Sequence, residues 1–381
     1  MDYIDEDLDE RVKRREQMKE EKRLQAKKRA FIKKLIPYII IGIVAVIVII
    51  SAIVWGIKAI LSNKDKKPVE NDIVYEQEVP VEGEAQPTPE PVVIEPEVQH
   101  MLPTTVERPQ LFDGYSVDES GASRSLSEEE VQSQFASLID CSTGKVLVTR
   151  NGGDRMNPAS MTKVMTALVA SEHIQDLEDT FTVTIEDTDF AYVHDLSCAG
   201  FEAGETVPVK DLLYGAIMPS GGECCHALER YVAGSEEEFI QMMNDKVKEL
   251  GLTGTHFTNS AGLYDENHYT TLYDISMIMK AAIENDICRE VLHEHMHVTT
   301  ATTEHPEGLE LSNWFMRRIE DKYDKTEVMG AKTGYVVQSG NCAVSYTIGT
   351  DGKVYICATG NAHSAWRAIF DHVSLYNKYV Q

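Results

Sequence analysis

Basic residues are scarce in this sequence. Its 381 residues include 36 lysines and arginines against 62 aspartates and glutamates, which gives a formal net charge of −26 at pH 7. Residues 1–34 carry 12 bases and nine acids, so the rest of the chain has a net charge of −29. A surface this acidic repels phosphate groups, which excludes nucleic acid and anionic lipid headgroups as partners of that part of the chain.

The cysteines lack the spacing of a disulfide framework or a zinc ribbon. Their number is odd, and all of them follow residue 140. In a domain large enough to bury a core, such cysteines are expected to be small buried hydrophobic residues. The seven are Cys141, Cys198, Cys224, Cys225, Cys288, Cys342 and Cys357.

The pattern of a cleavable signal peptide is also missing. Residues 35–57 form one uncharged run that is long enough to cross a bilayer as a helix, without a small-x-small cleavage site. Lys and Arg are far more frequent in residues 11–34 than in the flank at 58–67. The positive-inside rule therefore predicts a cytoplasmic charged tail (1–34), a retained transmembrane anchor (35–57) and an extracellular remainder.

Residues 58–127 have no sustained apolar period. They are rich in Glu, Pro, Val and Gln, as in the stretch 80–96. Because this composition cannot bury a core, we predict an acidic, disordered extracellular linker here. The folded domain is then expected over residues 128–381.

Within that domain, strand-like and helix-like patterns alternate. Strands are expected at 135–140, 145–150, 180–184, 341–348 and 353–360. Helices are expected from Pro158 through the apolar run 164–170, and at 209–218, 238–250, 271–284 and 364–380. Strands at both ends with helices between them predict an α/β domain, in which an antiparallel sheet is flanked by helices and carries a helical subdomain.

One short stretch, Ser160-Met161-Thr162-Lys163, has the elements of a nucleophile and its base. If a helix begins at Pro158, Ser160 and Lys163 lie on one face and the amine reaches the hydroxyl. Serine becomes a nucleophile when a neighbouring base takes its proton, and a lysine kept neutral by burial is such a base. On its own, S-x-x-K recurs by chance in long proteins.

Two further motifs follow in a fixed order, Ser220-Gly221-Gly222 and Lys332-Thr333-Gly334, the last placed just before a strand. With the first motif they match the signature of β-lactamases and penicillin-binding proteins. Intervening segments also match, among them 212–215, 259–263 and 268–271. From Phe135 onward, the chain thus resembles the D-alanyl-D-alanine carboxypeptidases among the low-molecular-mass penicillin-binding proteins, which have the penicilloyl serine transferase fold.

This resemblance implies a role for each motif residue. Ser160 would be the acylated nucleophile, Lys163 its base, and Ser220 the group that passes a proton to the departing D-alanine. The substrate's terminal carboxylate would be held by Lys332 and Thr333, and the oxyanion by the backbone N–H groups of Ser160 and Tyr335. Gly334 would allow close backbone approach. The resemblance implies no metal or cofactor, peptidoglycan stem peptides as substrate, β-lactams as covalent inhibitors and a bacterial cell membrane as location.

Gly222 departs from the family pattern, which usually has Asn there. A missing amide hydrogen bond predicts a rate attenuated by about 1–3 kcal/mol, unless Glu223 or Asn341 compensates. On that interpretation Gly222→Asn would raise turnover about tenfold.

Other interpretations stay open at this point. His293-Glu294-His295-Met296-His297 formally matches a zinc protease motif, although the β-branched residues after it favour a strand with three histidines on one face. A β-lactamase would need a deacylating acid, and Glu186 and Asp187 lack its E-x-x-x-N pattern. A catalytically weak or inactive peptidoglycan-binding relative is the alternative that Gly222 raises, and a D,D-endopeptidase would share all three motifs.

Overall fold

The computed structural model describes residues 105–124 and 126–381. The predicted tail (1–34), the predicted anchor (35–57) and most of the predicted linker lie outside this part of the chain. Within the described ranges, no helix is both long enough and apolar enough to traverse a bilayer.

Five antiparallel strands form the main sheet, and both ends of the folded domain contribute to it. The strands are β1 (Phe135–Asp140), β2 (Lys145–Arg150), β7 (Val328–Val336), β8 (Gly340–Ile348) and β9 (Val354–Ala362). Their order across the sheet is β2-β1-β9-β8-β7. The predicted antiparallel sheet assembled from the two ends of the domain is therefore confirmed.

Helices pack against both faces of the main sheet, and most of them also pack against one another. In chain order they are α1 (Lys163–His173), α2 (Ile185–Val193), α3 (Val209–Ile217), α4 (Gly222–Ala233), α5 (Glu236–Glu249), α6 (Leu272–Glu284), α7 (Asp286–His293), α8 (Met316–Ile319) and α9 (Ala365–Tyr379). The described residues also form two small antiparallel sheets of two strands each: β3 (Thr180–Thr182) with β4 (Thr206–Pro208), and β5 (Met296–Val298) with β6 (Glu310–Ser312).

The buried apolar residues form two clusters, one on each face of the sheet. The larger cluster is centred on α1, which packs against α3, α4, α5, α6 and α7. Nine of the 11 residues of α1 are buried, as its apolar run predicts. The smaller cluster lies between the sheet and α9. Six of the seven cysteines are buried as expected, whereas Cys198 is exposed.

The segment 105–124 corrects one predicted boundary. It falls inside the predicted linker, yet the backbone and side chain of Thr105 donate hydrogen bonds to the Glu290 carboxylate, and the hydroxyl of Tyr115 donates to Glu284 at 2.6 Å. Asp118 and Ser123 form isolated bridges alongside β2. Each of these contacts joins residues more than 20 positions apart in the sequence. The local composition of the segment does not predict such contacts. The folded unit therefore includes this segment.

Candidate active site

Ser160 lies in a 3₁₀ turn, Ala159–Thr162, that leads directly into α1. Ala159 adopts a left-handed backbone conformation with φ of 45°, which the surroundings must stabilise. The hydroxyl of Thr162 donates to the Ala159 carbonyl at 2.7 Å and pairs with the His268 ring at 2.8 Å. Burial lowers the pKa of His268 to about 4, so this ring is neutral at pH 7. The Thr162 hydroxyl and the His268 ring therefore hold the turn that carries Ser160.

Lys163 contacts the Ser160 hydroxyl, as the motif predicted. Its Nζ donates to Ser160 Oγ at 3.0 Å and to the Ala261 carbonyl at 2.6 Å. The Lys163 side chain is fully buried, and this burial lowers its pKa from the ordinary lysine value. A lysine that loses its proton readily, within hydrogen-bond distance of a serine hydroxyl, is the arrangement that activates a serine nucleophile.

Ser220 and Lys332 form a second pair. Lys332 Nζ donates to Ser220 Oγ at 2.9 Å and to the Thr333 carbonyl at 3.0 Å. Ser220 has a left-handed backbone with φ of 67°, immediately before α4. Burial lowers the pKa of Lys332 to about 7, and the charge of Lys163 adds to this effect. The strand that carries Lys332, β7, packs against the 3₁₀ turn that carries Ser160, so all three motifs lie in one site.

The third motif lies inside a strand and not before one. Residues 332–334 belong to β7 and pair with β8, where Gly334 is opposite Cys342. A Cβ atom on Gly334 would lie 2.7 Å from the Ser160 nitrogen, which only glycine permits. The strand edge therefore passes directly along the backbone of the Ser160 turn. Tyr335, the next residue, has 61% of its surface exposed.

The turn at 259–263 completes the site, and sequence reasoning gave it no role. Asn259 Oδ1 accepts the N–H groups of Gly262 at 2.7 Å and Leu263 at 2.8 Å, which orients the Ala261 carbonyl toward Lys163. A Cβ on Gly262 would lie 1.9 Å from the Ala159 carbonyl oxygen. An Asn three residues before a Gly is a turn signal, but only the fold shows which lysine the turn contacts.

The zinc-protease interpretation does not fit the geometry. His293 ends α7, His297 is in β5, and the three histidines have separate partners: the Met329 carbonyl, Glu320 and Asp211. The expectation of one strand face with three histidines is therefore wrong, because the chain changes from helix to strand between them. The part of the chain that the structure describes has no group of three His, Cys, Asp or Glu side chains that could hold a metal ion.

The acids considered for a β-lactamase have other positions. Asp187 is buried, caps the start of α2 through Thr184, and forms ion pairs with His226 at 2.6 Å and Arg230 at 2.9 Å. Glu186 is exposed beside it. The hydrogen bonds to Asp187 lower its pKa although burial opposes them, so this carboxylate is a structural anion.

The two serine–lysine pairs, beside an antiparallel sheet flanked by helices, are the arrangement of the class of serine enzymes with an S-x-x-K motif. The sequence pattern of the D-alanyl-D-alanine carboxypeptidase family matches residues 122–362. This chain belongs to that family of serine-type peptidases, as the three motifs predicted.

Individual relatives agree with this assignment. The chain is 34% identical to D-alanyl-D-alanine carboxypeptidase DacF of Bacillus subtilis over 224 residues, which is 57% of this chain and 54% of that protein. It is 33% identical to DacC of Escherichia coli over 184 residues, or 47% and 46% of the two chains. The chain thus spans about half the length of these curated relatives. The Streptomyces K15 DD-transpeptidase structure superposes with a TM-score of 0.61 at 25% identity, covering 67% of this chain and 98% of that one.

Gly222 is the position where the structure changes the sequence-based interpretation. A Cβ there would lie 2.6 Å from Leu196 Cδ1, 2.9 Å from Leu196 Cβ and 3.3 Å from Ala191 Cβ. Leu196 thus occupies the space into which a side chain at 222 would project. The two residues proposed to compensate have other partners, since Glu223 accepts N–H groups of the 199–200 backbone and Asn341 donates to the Ala362 carbonyl.

We therefore expect Gly222→Asn to destabilise the fold by about 1–3 kcal/mol, through overpacking, and to give no gain in rate. Adding Leu196→Ala should recover part of this loss, because the two side chains compete for one space. Melting temperature and penicillin acylation rate would be measured for the wild type, both single variants and the double variant. If the Gly222→Asn variant had the melting temperature of the wild type and were acylated by penicillin tenfold faster, the sequence-based expectation would be correct after all.

Proposed function

We propose that this chain is a serine-type D-Ala-D-Ala carboxypeptidase that removes the terminal D-alanine from peptidoglycan stem pentapeptides. The observation that carries the proposal is the 3.0 Å hydrogen bond between a buried lysine, Lys163, and the hydroxyl of Ser160. Family membership supports the same reaction.

Acylation would begin when neutral Lys163 takes the proton of Ser160. The Ser160 Oγ then attacks the carbonyl carbon of the penultimate D-alanine. The negative charge that develops on the carbonyl oxygen is stabilised by the backbone N–H groups of Ser160 and Tyr335. The close passage of β7 along the Ser160 turn supports this pairing of donors. Each such donor is typically worth about 3–4 kcal/mol.

Expulsion of D-alanine requires a proton on its departing amine. Lys163 would return the proton it took from Ser160, with the Ser220 hydroxyl as the relay, and the C–N bond then breaks. Lys332 and Thr333 hold the free carboxylate of the terminal D-alanine, since an ammonium and a hydroxyl are both donors to carboxylate oxygens. Water afterwards hydrolyses the Ser160 ester.

β-Lactams would be covalent inhibitors by the same attack. Opening of the four-membered ring leaves the amine attached to the acyl group, so no leaving group departs and the ester persists. Intact-mass measurement of the wild type after incubation with benzylpenicillin tests the proposal. A persistent adduct at one site supports the carboxypeptidase. Absence of any adduct would favour the non-catalytic peptidoglycan-binding relative, and rapid loss of the adduct would favour a β-lactamase.

The topology is part of the same proposal. The run 35–57 anchors the chain in the bacterial cell membrane, with residues 1–34 in the cytoplasm and the catalytic domain outside. Protease added to intact cells should remove the acidic domain and leave a protected N-terminal fragment. A mature protein that begins after residue 57 would contradict the anchor and identify a cleaved signal.

A further inference from the structure

The segment Asp195–Gly200 covers the start of α4. The Leu196 N–H donates to the Ala191 carbonyl at 2.9 Å, and the Gly222 N–H donates to the Ser197 carbonyl at 2.8 Å. With Leu196 packed where a side chain at 222 would lie, this segment supports the turn that holds Ser220 in its left-handed conformation.

Glu223 ties this segment to α4. One carboxylate oxygen, Oε1, accepts the N–H groups of Ala199 at 2.5 Å and Gly200 at 2.9 Å. Glu223 is three residues after Ser220, and only 1% of its surface is exposed. A single buried oxygen that accepts two N–H groups restrains the backbone that it binds, because breaking either bond would leave the buried carboxylate with fewer donors.

The second oxygen of Glu223, Oε2, is buried without a hydrogen-bond partner in the described part of the chain. An unsatisfied buried carboxylate oxygen is costly, so its retention calls for a compensating interaction. A fully buried lysine, Lys163, is on α1, which packs against α4. The charge of Lys163 favours the ionised form of Glu223, although burial raises the pKa of this carboxyl.

The other charged or titratable groups around Lys163 have different effects. From α4, Cys224 and Cys225 also face it, but burial raises the pKa of both thiols, to about 12 for Cys225, so they are neutral at pH 7. From β7, the second lysine is Lys332, and burial lowers its pKa to about 7. Among the groups that act on Lys163, Glu223 is the carboxyl.

We propose that Glu223 is a positioning residue for acylation, in which Oε1 holds the segment that supports Ser220 and Oε2 stabilises the Lys163 ammonium. This inference rests on the proposed function. The proton moves from Ser160 Oγ to Lys163 Nζ and later to the leaving amine, while Glu223 neither gains nor loses a proton in these steps.

Two variants separate the two roles. Glu223→Gln keeps an acceptor oxygen for the Ala199 and Gly200 N–H groups but removes the charge. The pKa of Lys163 should fall by about one unit, since an opposite charge nearby favours the protonated form. In a plot of acylation rate against pH, the rise on the acidic side should move to lower pH. The maximum rate should be lower, because Lys163 becomes a weaker base. Glu223→Ala removes both functions and should slow acylation roughly ten- to a hundred-fold at every pH.

The closing experiment is an NMR titration of the Lys163 side chain in protein labelled with ¹³C-lysine, with Lys163→Met used to assign the signal. Glu229→Gln is the matched control, because Glu229 is an equally buried carboxyl on α4. Burial raises the pKa of Glu229 to about 7, so the variants are compared above pH 7, where its charge is present. A lower Lys163 pKa in Glu223→Gln but not in Glu229→Gln supports the inference. An unchanged pKa in Glu223→Gln overturns it. This readout needs no turnover, so failure of the proposed function would appear separately, as a wild type that benzylpenicillin does not acylate.

Discussion

Ser160→Ala is expected to abolish covalent labelling by a fluorescent penicillin, with acylation slowed by at least about a thousandfold, because the Ser160 hydroxyl is the one that Lys163 Nζ contacts, at 3.0 Å. Folding should be unaffected. Ser160 is only partly buried, and without its hydroxyl Lys163 Nζ keeps its 2.6 Å hydrogen bond to the Ala261 carbonyl. Gel fluorescence after denaturation gives the labelling, and circular dichroism gives the melting temperature.

Ser220→Ala is the matched control for this experiment. It removes the hydroxyl that Lys332 contacts at 2.9 Å, but leaves the Ser160–Lys163 pair intact. This variant should still be labelled at Ser160, at a reduced rate. If Ser160→Ala were labelled as fast as the wild type, the nucleophile would have to be another residue.

Lys332→Met is expected to separate activity from stability. Turnover of a peptide with a free C-terminal carboxylate should fall at least about a hundredfold, because the ammonium that binds this carboxylate is lost. The fold should become more stable, because a buried lysine with its pKa lowered from 10.5 to about 7 costs free energy that methionine does not.

Because the pKa of Lys332 is lower in the folded chain than in the unfolded chain, the stability gained by Lys332→Met depends on pH. Between pH 7 and 10.5 the unfolded chain keeps the Lys332 proton that the folded chain has lost, so wild-type stability rises with pH across that range. The advantage of Lys332→Met should be largest at and below pH 7 and should vanish as the pH approaches 10.5. Urea unfolding at pH 6.5, 8 and 9.5 measures it. A variant that is less stable than the wild type at pH 6.5 would show that the Lys332–Ser220 hydrogen bond outweighs the burial cost.

Much of the fold could be predicted from sequence because the signals were local. Alternating apolar residues marked the strands of the sheet, and the unbroken apolar run 164–170 marked the buried α1. The ordered motifs located Ser160, Lys163, Ser220 and Lys332, and the structure brings these four side chains together. Their roles, and the membrane topology, stay predictions.

The features that sequence reasoning missed all depend on contacts between distant segments. Leu196 fills the space beside Gly222, 26 positions away, and nothing in either local sequence indicates this pairing. The segment 105–124 has the polar composition of a linker, yet it folds against α6, α7 and β2. From sequence, Glu223 was a candidate to replace a missing amide, but its hydrogen bonds to the 199–200 backbone give it a different role.

The most direct test of the central claim is D-alanine release from a synthetic peptide that ends in D-Ala-D-Ala. The wild type should release one D-alanine per peptide, Ser160→Ala should release none, and a matched peptide ending in L-Ala-L-Ala should remain intact. Release that continues in Ser160→Ala, or a folded wild type that binds penicillin covalently but releases no D-alanine, would contradict the carboxypeptidase assignment.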